Sequence, residues 1–198
     1  MEILPYASLL SYSLAGIAAI GLLEKFIPVM PSYVMLVLFG MTLVDSRTEL
    51  GLIIFFSVLG SVAGGLIWYT FGRLIGAERC ERFVARFGRF ILLKLELYMR
   101  LMQAYQRNHF WVTAIGQVVP TARIYLALPA GVIRLPFAPY VLATAIGTVA
   151  WNAPLITLGY LLQNSGWSPL AAGTVAVCSL IAIEAIVLMT FLRRKPDR

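Results

Sequence analysis

The stretch GQVVPTARIYLALPAG, residues 116–131, decides how this chain is read. Arg123 lies in an otherwise apolar run between Pro120 and Pro129. A charge in such a run is costly in a bilayer, and proline removes a backbone donor and breaks a helix. Broken backbone at membrane depth persists only where it is buried in protein or lines a wet cavity. A related stretch, EKFIPVMPSYVMLVLFG at 24–40, carries Glu24 ahead of Pro28 and Pro31. Two interrupted segments in corresponding halves of a chain point to a transporter's binding site.

Composition supports a membrane setting. Of 198 residues, 60% are hydrophobic and 13% charged, with a mean hydropathy of +0.85. A soluble domain is typically about 25% charged. Residues 3–23, 50–72 and 135–183 carry no charge at all. A spanning helix needs about 20 apolar residues, so the last run holds two, divided by the polar turn QNSGWSP at 163–169. Residues 3–23 lack a basic leader and a small-residue cleavage site and are read as a retained helix. The net charge of +7 is not spread as a nucleic-acid surface. Eight of the 16 Lys and Arg fall between Arg73 and Arg107, and four end the chain, which the positive-inside rule explains as cytoplasmic charge. Cys80 and Cys178 have neither metal nor disulfide spacing.

The predicted organisation is all-α: one membrane domain over 1–198. A helix at 1–23 precedes a first repeat at 24–76. An amphipathic cytoplasmic segment at 77–108 leads to a second repeat at 109–163 and a final span at 168–192. Gly60-Ser-Val-Ala and Gly72 recur as Gly147-Thr-Val-Ala and Gly159 at an offset of 87, and Gly40 answers Gly131 at 91. The alternative is chance likeness between Gly/Ala-rich helices. If each broken segment enters and leaves on one side, the single crossing at 49–73 inverts the second repeat and puts both basic clusters on one face. Two full spans in place of each re-entrant hairpin would preserve sidedness equally; the short length, the prolines and the charges favour re-entrance. Arg79, Arg82, Arg86 and Arg89 recur at helical spacing, with Phe83, Val84, Phe87 and Phe90 turned elsewhere. That helix either lies on an anionic lipid surface or is an ordinary solvated loop helix.

Arg123 is the first candidate for chemistry. It either satisfies carbonyls freed by the prolines or grips a phosphate, which suits a planar guanidinium. Glu24 is its natural partner and the candidate proton relay; the alternative is an interfacial glutamate beside Lys25 that reaches water. Glu184, deep in the last span, is assigned to packing or to an oligomer contact. His109, the single histidine, is read as structural. No metal site, cofactor or enzymatic motif is expected.

These motifs resemble the DedA family, the bacterial branch of the VTT or SNARE-associated membrane proteins. Glu24, Pro28, Pro31 and Ser32 are similar to its first hairpin. Gly60, Gly64, Tyr69, Gly72, Arg73 and Gly76 fit its G-x-x-x-G-x-x-x-x-Y-x-x-G-R-x-x-G helix. Gly116, Pro120, Arg123, Ala130 and Gly131 fit its G-R-F-x-P-x-x-R hairpin, and Trp151 and Gly159-Tyr160 its late helix. The resemblance covers roughly 20–163. Tyr33, Gly65 and Gln117 stand where the family usually has charges. The resemblance implies a bacterial inner-membrane flippase for a phosphate-headgroup lipid, undecaprenyl phosphate or a phospholipid such as phosphatidylethanolamine. Arg123, Gln117, Glu24, Pro120 and Tyr33 would meet the headgroup, and Pro28, Pro31, Pro129 and Gly131 would shape the hairpins. Protons and a homo-oligomer are the further partners considered. The alternatives are a small-ion or proton-coupled transporter and a non-transporting scaffold.

Overall fold

The computed structural model describes residues 14–27, 32–88, 95–119 and 122–163, and single residues or pairs between 166 and 179. Pro28, Pro31, Pro120, Arg89, Phe90, Glu184 and most of the 168–192 span lie outside the described residues. All described elements are helices: α1 (Leu14–Leu23), α2 (Ser32–Thr42), α3 (Arg47–Ile75), α4 (Ala77–Phe87), α5 (Leu95–Arg107), α6 (His109–Val118), α7 (Ala127–Val132) and α8 (Phe137–Leu162). At about 1.5 Å per residue, α3 and α8 reach beyond the roughly 30 Å of a hydrocarbon core. None of α2, α6 and α7, with 11, 10 and 6 residues, is long enough to cross.

The polarity of α3 and α8 is inside out. Phe55, Leu59 and Ile67 face outward on α3, as do Leu142, Ile146 and Val149 on α8. Ser57, Ser61, Thr144, Thr148 and Asn152 are buried. Water would reverse this arrangement, whereas lipid favours it. The chain is a membrane protein, helical throughout its described elements.

The chain forms two compact units, residues 1–30 with 51–153, and residues 31–50 with 154–198. In the first unit, glycines bring backbones together. A Cβ at Gly60 would overlap the Ala18 carbonyl of α1, and one at Gly147 the Ala114 carbonyl of α6. A Cβ at Gly131 of α7 would overlap the Tyr69 carbonyl on α3. In the second unit, Gly40 of α2 packs in the same way on Ile156 and Gly159. Small residues are what let membrane helices approach this closely, because packing replaces the hydrophobic drive that lipid removes.

Gly76, at φ 78°, ends α3 and turns the chain into α4. The α4 helix buries Cys80 and Val84 and sets Phe83 edge-on to Phe71 of α3, with ring centroids 5.6 Å apart. Its apolar face therefore packs on protein, while Phe87 at its end stays exposed. Tyr98 and Tyr105 of α5 complete this core, and the Tyr105 hydroxyl donates to the Leu126 carbonyl at 3.1 Å. Burial first, then the neighbouring Cys80 and Glu81, pushes the Tyr98 hydroxyl up to about 12, and burial raises the Cys80 thiol. Both stay neutral at physiological pH, as an apolar core requires.

Pro129 corrects one expectation. It occupies the third position of α7, in the first turn, where its missing N–H has no intrahelical partner to lose. It starts a helix instead of breaking one, and the break lies upstream between Val119 and Leu126. At the other end of α7, Leu135 N–H donates to Ala130 O at 3.1 Å and Arg134 N–H to Gly131 O at 2.9 Å. This is a Schellman cap in which Arg134, at φ 53°, takes the left-handed position glycine prefers. Arg134→Gly is accordingly expected to stabilise the protein by about 1 kcal/mol, read as a raised thermal midpoint.

Candidate functional site

The site is made where two helices stop. Past the end of α1, Glu24 N–H still bonds the Ile20 carbonyl at 2.9 Å, and Lys25 N–H takes Leu22 at 3.2 Å. In this tightened turn two consecutive charged side chains point inward. Glu24 is 6% exposed and Lys25 2%. Neither reaches water, so the interfacial alternative for Glu24 fails. Past the end of α6, Ala122 and Arg123 both donate their N–H groups to the Val119 carbonyl, at 3.1 and 3.0 Å. That turn delivers the Arg123 side chain into the interior, 4% exposed.

One carboxylate oxygen gathers the cluster. Glu24 Oε1 accepts from Arg123 Nη2 in a short charge-assisted bond and from Ser61 Oγ of α3 at 2.8 Å. Lys25 Nζ stands 3.9 Å from the same oxygen. Lys25 Nζ also donates to Gln117 Oε1 of α6 at 3.1 Å, and the Lys25 carbonyl accepts from Trp68 Nε1 at 2.9 Å. The Arg123 guanidinium lies over the Trp151 ring, 5.3 Å from its centroid. An aromatic face of this kind holds a cation without spending any of its N–H donors.

The balance of charge is the notable outcome. Among the described residues, Glu24 is the one carboxylate in contact with two buried basic side chains, Arg123 and Lys25. A buried charge is tolerated only when paired or hydrogen-bonded, so this cluster has room for one more anion. Arg123 retains further donors in a planar fork, the geometry that matches phosphate.

The structure joins Glu24, Arg123 and Gln117 through Lys25. An ammonium can only donate, so the Gln117 amide oxygen faces it, which leaves the amide NH2 group as a donor. Tyr33 lies on α2, half-buried, in the other unit. His109, the first residue of α6, is exposed, and Asn108 caps that helix by accepting from Trp111 N–H at 3.3 Å. Among the described residues no three His, Cys, Asp or Glu converge as metal ligands would. Sequence reasoning missed Lys25 and Ser61. Ser61 sits inside the repeated Gly-Ser-Val-Ala element and could have been flagged as a polar residue on an apolar span. No spacing rule would have turned Lys25 inward beside Glu24.

The family model of the VTT domain matches residues 25–161. Undecaprenyl phosphate transporter A of Staphylococcus aureus is 32% identical over 154 residues, covering 78% of this chain and 76% of that protein. The Bacillus subtilis protein of the same name is 28% identical over 196 residues, 98% of this chain and 93% of its own. An alkaline phosphatase-like protein of Lactococcus lactis subsp. cremoris is 30% identical over 188 residues, 91% and 86% of the two chains. No solved structure matches the chain.

Proposed function

The chain belongs to the VTT-domain family, and from that premise we propose that it moves a phosphate-headgroup lipid across the bacterial inner membrane. The substrate is undecaprenyl phosphate or a phospholipid such as phosphatidylethanolamine. One observation carries this reading: among the described residues, Arg123 and Lys25, both buried, share one carboxylate, that of Glu24. A phosphate supplies the missing negative charge. The relatives' names support it: two are named as transporters of undecaprenyl phosphate.

In this mechanism Glu24 holds the place of the headgroup. An arriving phosphate takes the Arg123 fork, with Lys25 as a second donor, and displaces the Glu24 carboxylate. Stripped of its cations in a buried site, the carboxylate is neutralised by a proton. Proton uptake then accompanies loading, and proton release accompanies departure, when Glu24 returns to Arg123. The lipid tails stay in the bilayer throughout.

The architecture proposed for this is the inverted repeat of two re-entrant hairpins in a single membrane domain, Pro129 and Gly131 among the hairpin's structural residues. Recurrent packing supports it. The helix before each break meets a glycine 87 residues apart, α1 at Gly60 and α6 at Gly147. The helix after each break is seated by glycines on the later half of a long helix: α7 by Gly131 beside Gly72, α2 by Gly40 beside Gly159. The basic α4–α5 segment and the C-terminal tail are assigned to the cytoplasm.

The test is leaflet exchange in liposomes carrying the purified protein. Labelled undecaprenyl phosphate is expected to move and the uncharged polyprenol to remain at background. Ion flux without lipid movement would replace this reading with an ion transporter. Lys25→Gln is expected to slow exchange of the phosphate lipid about tenfold or more, since a charge-assisted hydrogen bond is worth about 1.5–3 kcal/mol. Lys25→Arg is expected to recover part of the rate.

A further inference from the structure

A second polar feature lies between the two long helices, outside the charged cluster. Tyr140, Thr144, Thr148 and Asn152 recur every four residues on α8, so they share one face. They are 2%, 1%, 2% and 1% exposed. Among the described residues, the Tyr140 hydroxyl, Thr144 Oγ1, Thr148 Oγ1 and Asn152 Oδ1 find no hydrogen-bond partner, and neither does the adjacent Trp151 Nε1. The Tyr140 and Thr144 side chains are neighbours, yet neither hydroxyl completes a bond of normal geometry.

The facing side of α3 carries a matching row. Ser57 Oγ accepts from Asn152 Nδ2 at 3.1 Å. Ser61 bonds Glu24. At Gly65 a Cβ would come no nearer than 3.7 Å to the Tyr140 hydroxyl and 3.9 Å to Thr144 Cγ2, so the seam has room there. Tyr69 stacks on Tyr140 with ring centroids 4.6 Å apart. The two rows run antiparallel for about 18 Å, from Ser57 and Asn152 to Tyr69 and Tyr140.

Five orphaned polar atoms within 13 residues of one helix far exceed the few per hundred residues that native proteins show. Each costs about 1–3 kcal/mol if left dry, and valine would fill the threonine positions at no such cost. The groups are of mixed character. The hydroxyls donate and accept, the Asn152 oxygen only accepts, and the indole N–H only donates. An anion would be repelled by the Asn152 oxygen, and a hydrocarbon tail would satisfy none of them. Water satisfies all of them, and each internal molecule needs about two to four such partners.

We propose that the α3–α8 seam holds a file of internal water that links the Glu24 cluster to the Tyr69–Tyr140 end. There Arg73 donates to the Tyr69 hydroxyl at 2.8 Å, and Tyr69 in turn donates to the Leu135 carbonyl at 2.6 Å. The water file is the route by which a pH gradient reaches Glu24, while without a gradient a phosphate monoester headgroup, whose second pKa is about 6, carries the proton in and out itself; this assignment rests on the transport mechanism. The last step runs through Ser61, whose hydroxyl passes its proton to Glu24 Oε1 as its oxygen accepts one from the neighbouring water. Ser61 thus carries no net charge before or after. The charged and titratable groups at the seam, among the described residues, are Glu24, Lys25 and Arg123 at one end, and Tyr69, Tyr105, Tyr140 and Arg73 at the other.

The test pairs two readouts on the full-length protein in lipid nanodiscs and liposomes. Radiolytic hydroxyl labelling, which modifies side chains beside bound water, is expected to oxidise Tyr140 and Trp151 despite their burial. Thr144→Val/Thr148→Val is expected to remove that labelling and to fold at least as stably as the wild type. In liposomes the same variant is expected to lose acceleration of lipid exchange by a pH gradient while keeping the gradient-free rate. Unlabelled Tyr140 and Trp151 in the wild type would mean a dry seam and would overturn the proposal. A drop in the gradient-free rate would make the seam a headgroup passage and would equally overturn it. Labelled residues in a protein that exchanges no lipid would leave the water file standing and remove the transport reading instead.

Discussion

Arg123→Gln is expected to destabilise the protein by about 3 kcal/mol, the low end of the range for breaking a buried ion pair. The low end applies because Lys25 Nζ, 3.9 Å from Glu24 Oε1, remains to share the stranded carboxylate. Glu24→Gln/Arg123→Gln removes both charges of the pair and is expected to regain part of that loss, since a buried pair replaced together is often neutral and Lys25, which loses its carboxylate, keeps its Gln117 acceptor. The two single effects are then strongly non-additive, which a double-mutant cycle of unfolding midpoints measures directly. Additive losses would mean that Arg123 and Glu24 do not depend on one another.

The second large effect concerns backbone contact. Gly131→Val places a side chain where the Tyr69 carbonyl already sits, with the Arg73 nitrogen 3.0 Å from the new Cβ. Neither obstacle is a flexible side-chain end, so α7 must move away from α3. A loss of about 3 kcal/mol or more is expected, at the upper end of overpacking penalties. It would be read as poor accumulation in the membrane and a lowered midpoint. Gly16→Ala is the control: a Cβ there meets nothing within 4 Å, and alanine in a helix should gain about 0.5–1 kcal/mol.

The sequence was most legible where a long-range pattern survives in one dimension. Uninterrupted apolar runs located α3 and α8 to within two residues, and the paired glycines marked where helices touch. Arg123 and Glu24 could be singled out because charges in apolar runs demand an explanation. What could not be read was direction. Pro129 looked like a breaker, because proline in a run suggests a break, whereas its cost depends on which turn of a helix it occupies. Lys25 followed a glutamate in what read as an interfacial pair, and only the turn after α1 brings both inside. The seam residues on α8 escaped notice because a threonine in a membrane helix is ordinary; its meaning comes from the row of unpartnered neighbours.

The central claim is that a phosphate headgroup is held by buried cations whose charge Glu24 alone does not balance. Leaflet exchange of labelled undecaprenyl phosphate by Glu24→Gln/Arg123→Gln, in liposomes and beside the wild type, tests it most directly, because this variant is expected to fold. Exchange at the protein-free background is the predicted result; exchange at the wild-type rate by the folded variant would contradict the claim.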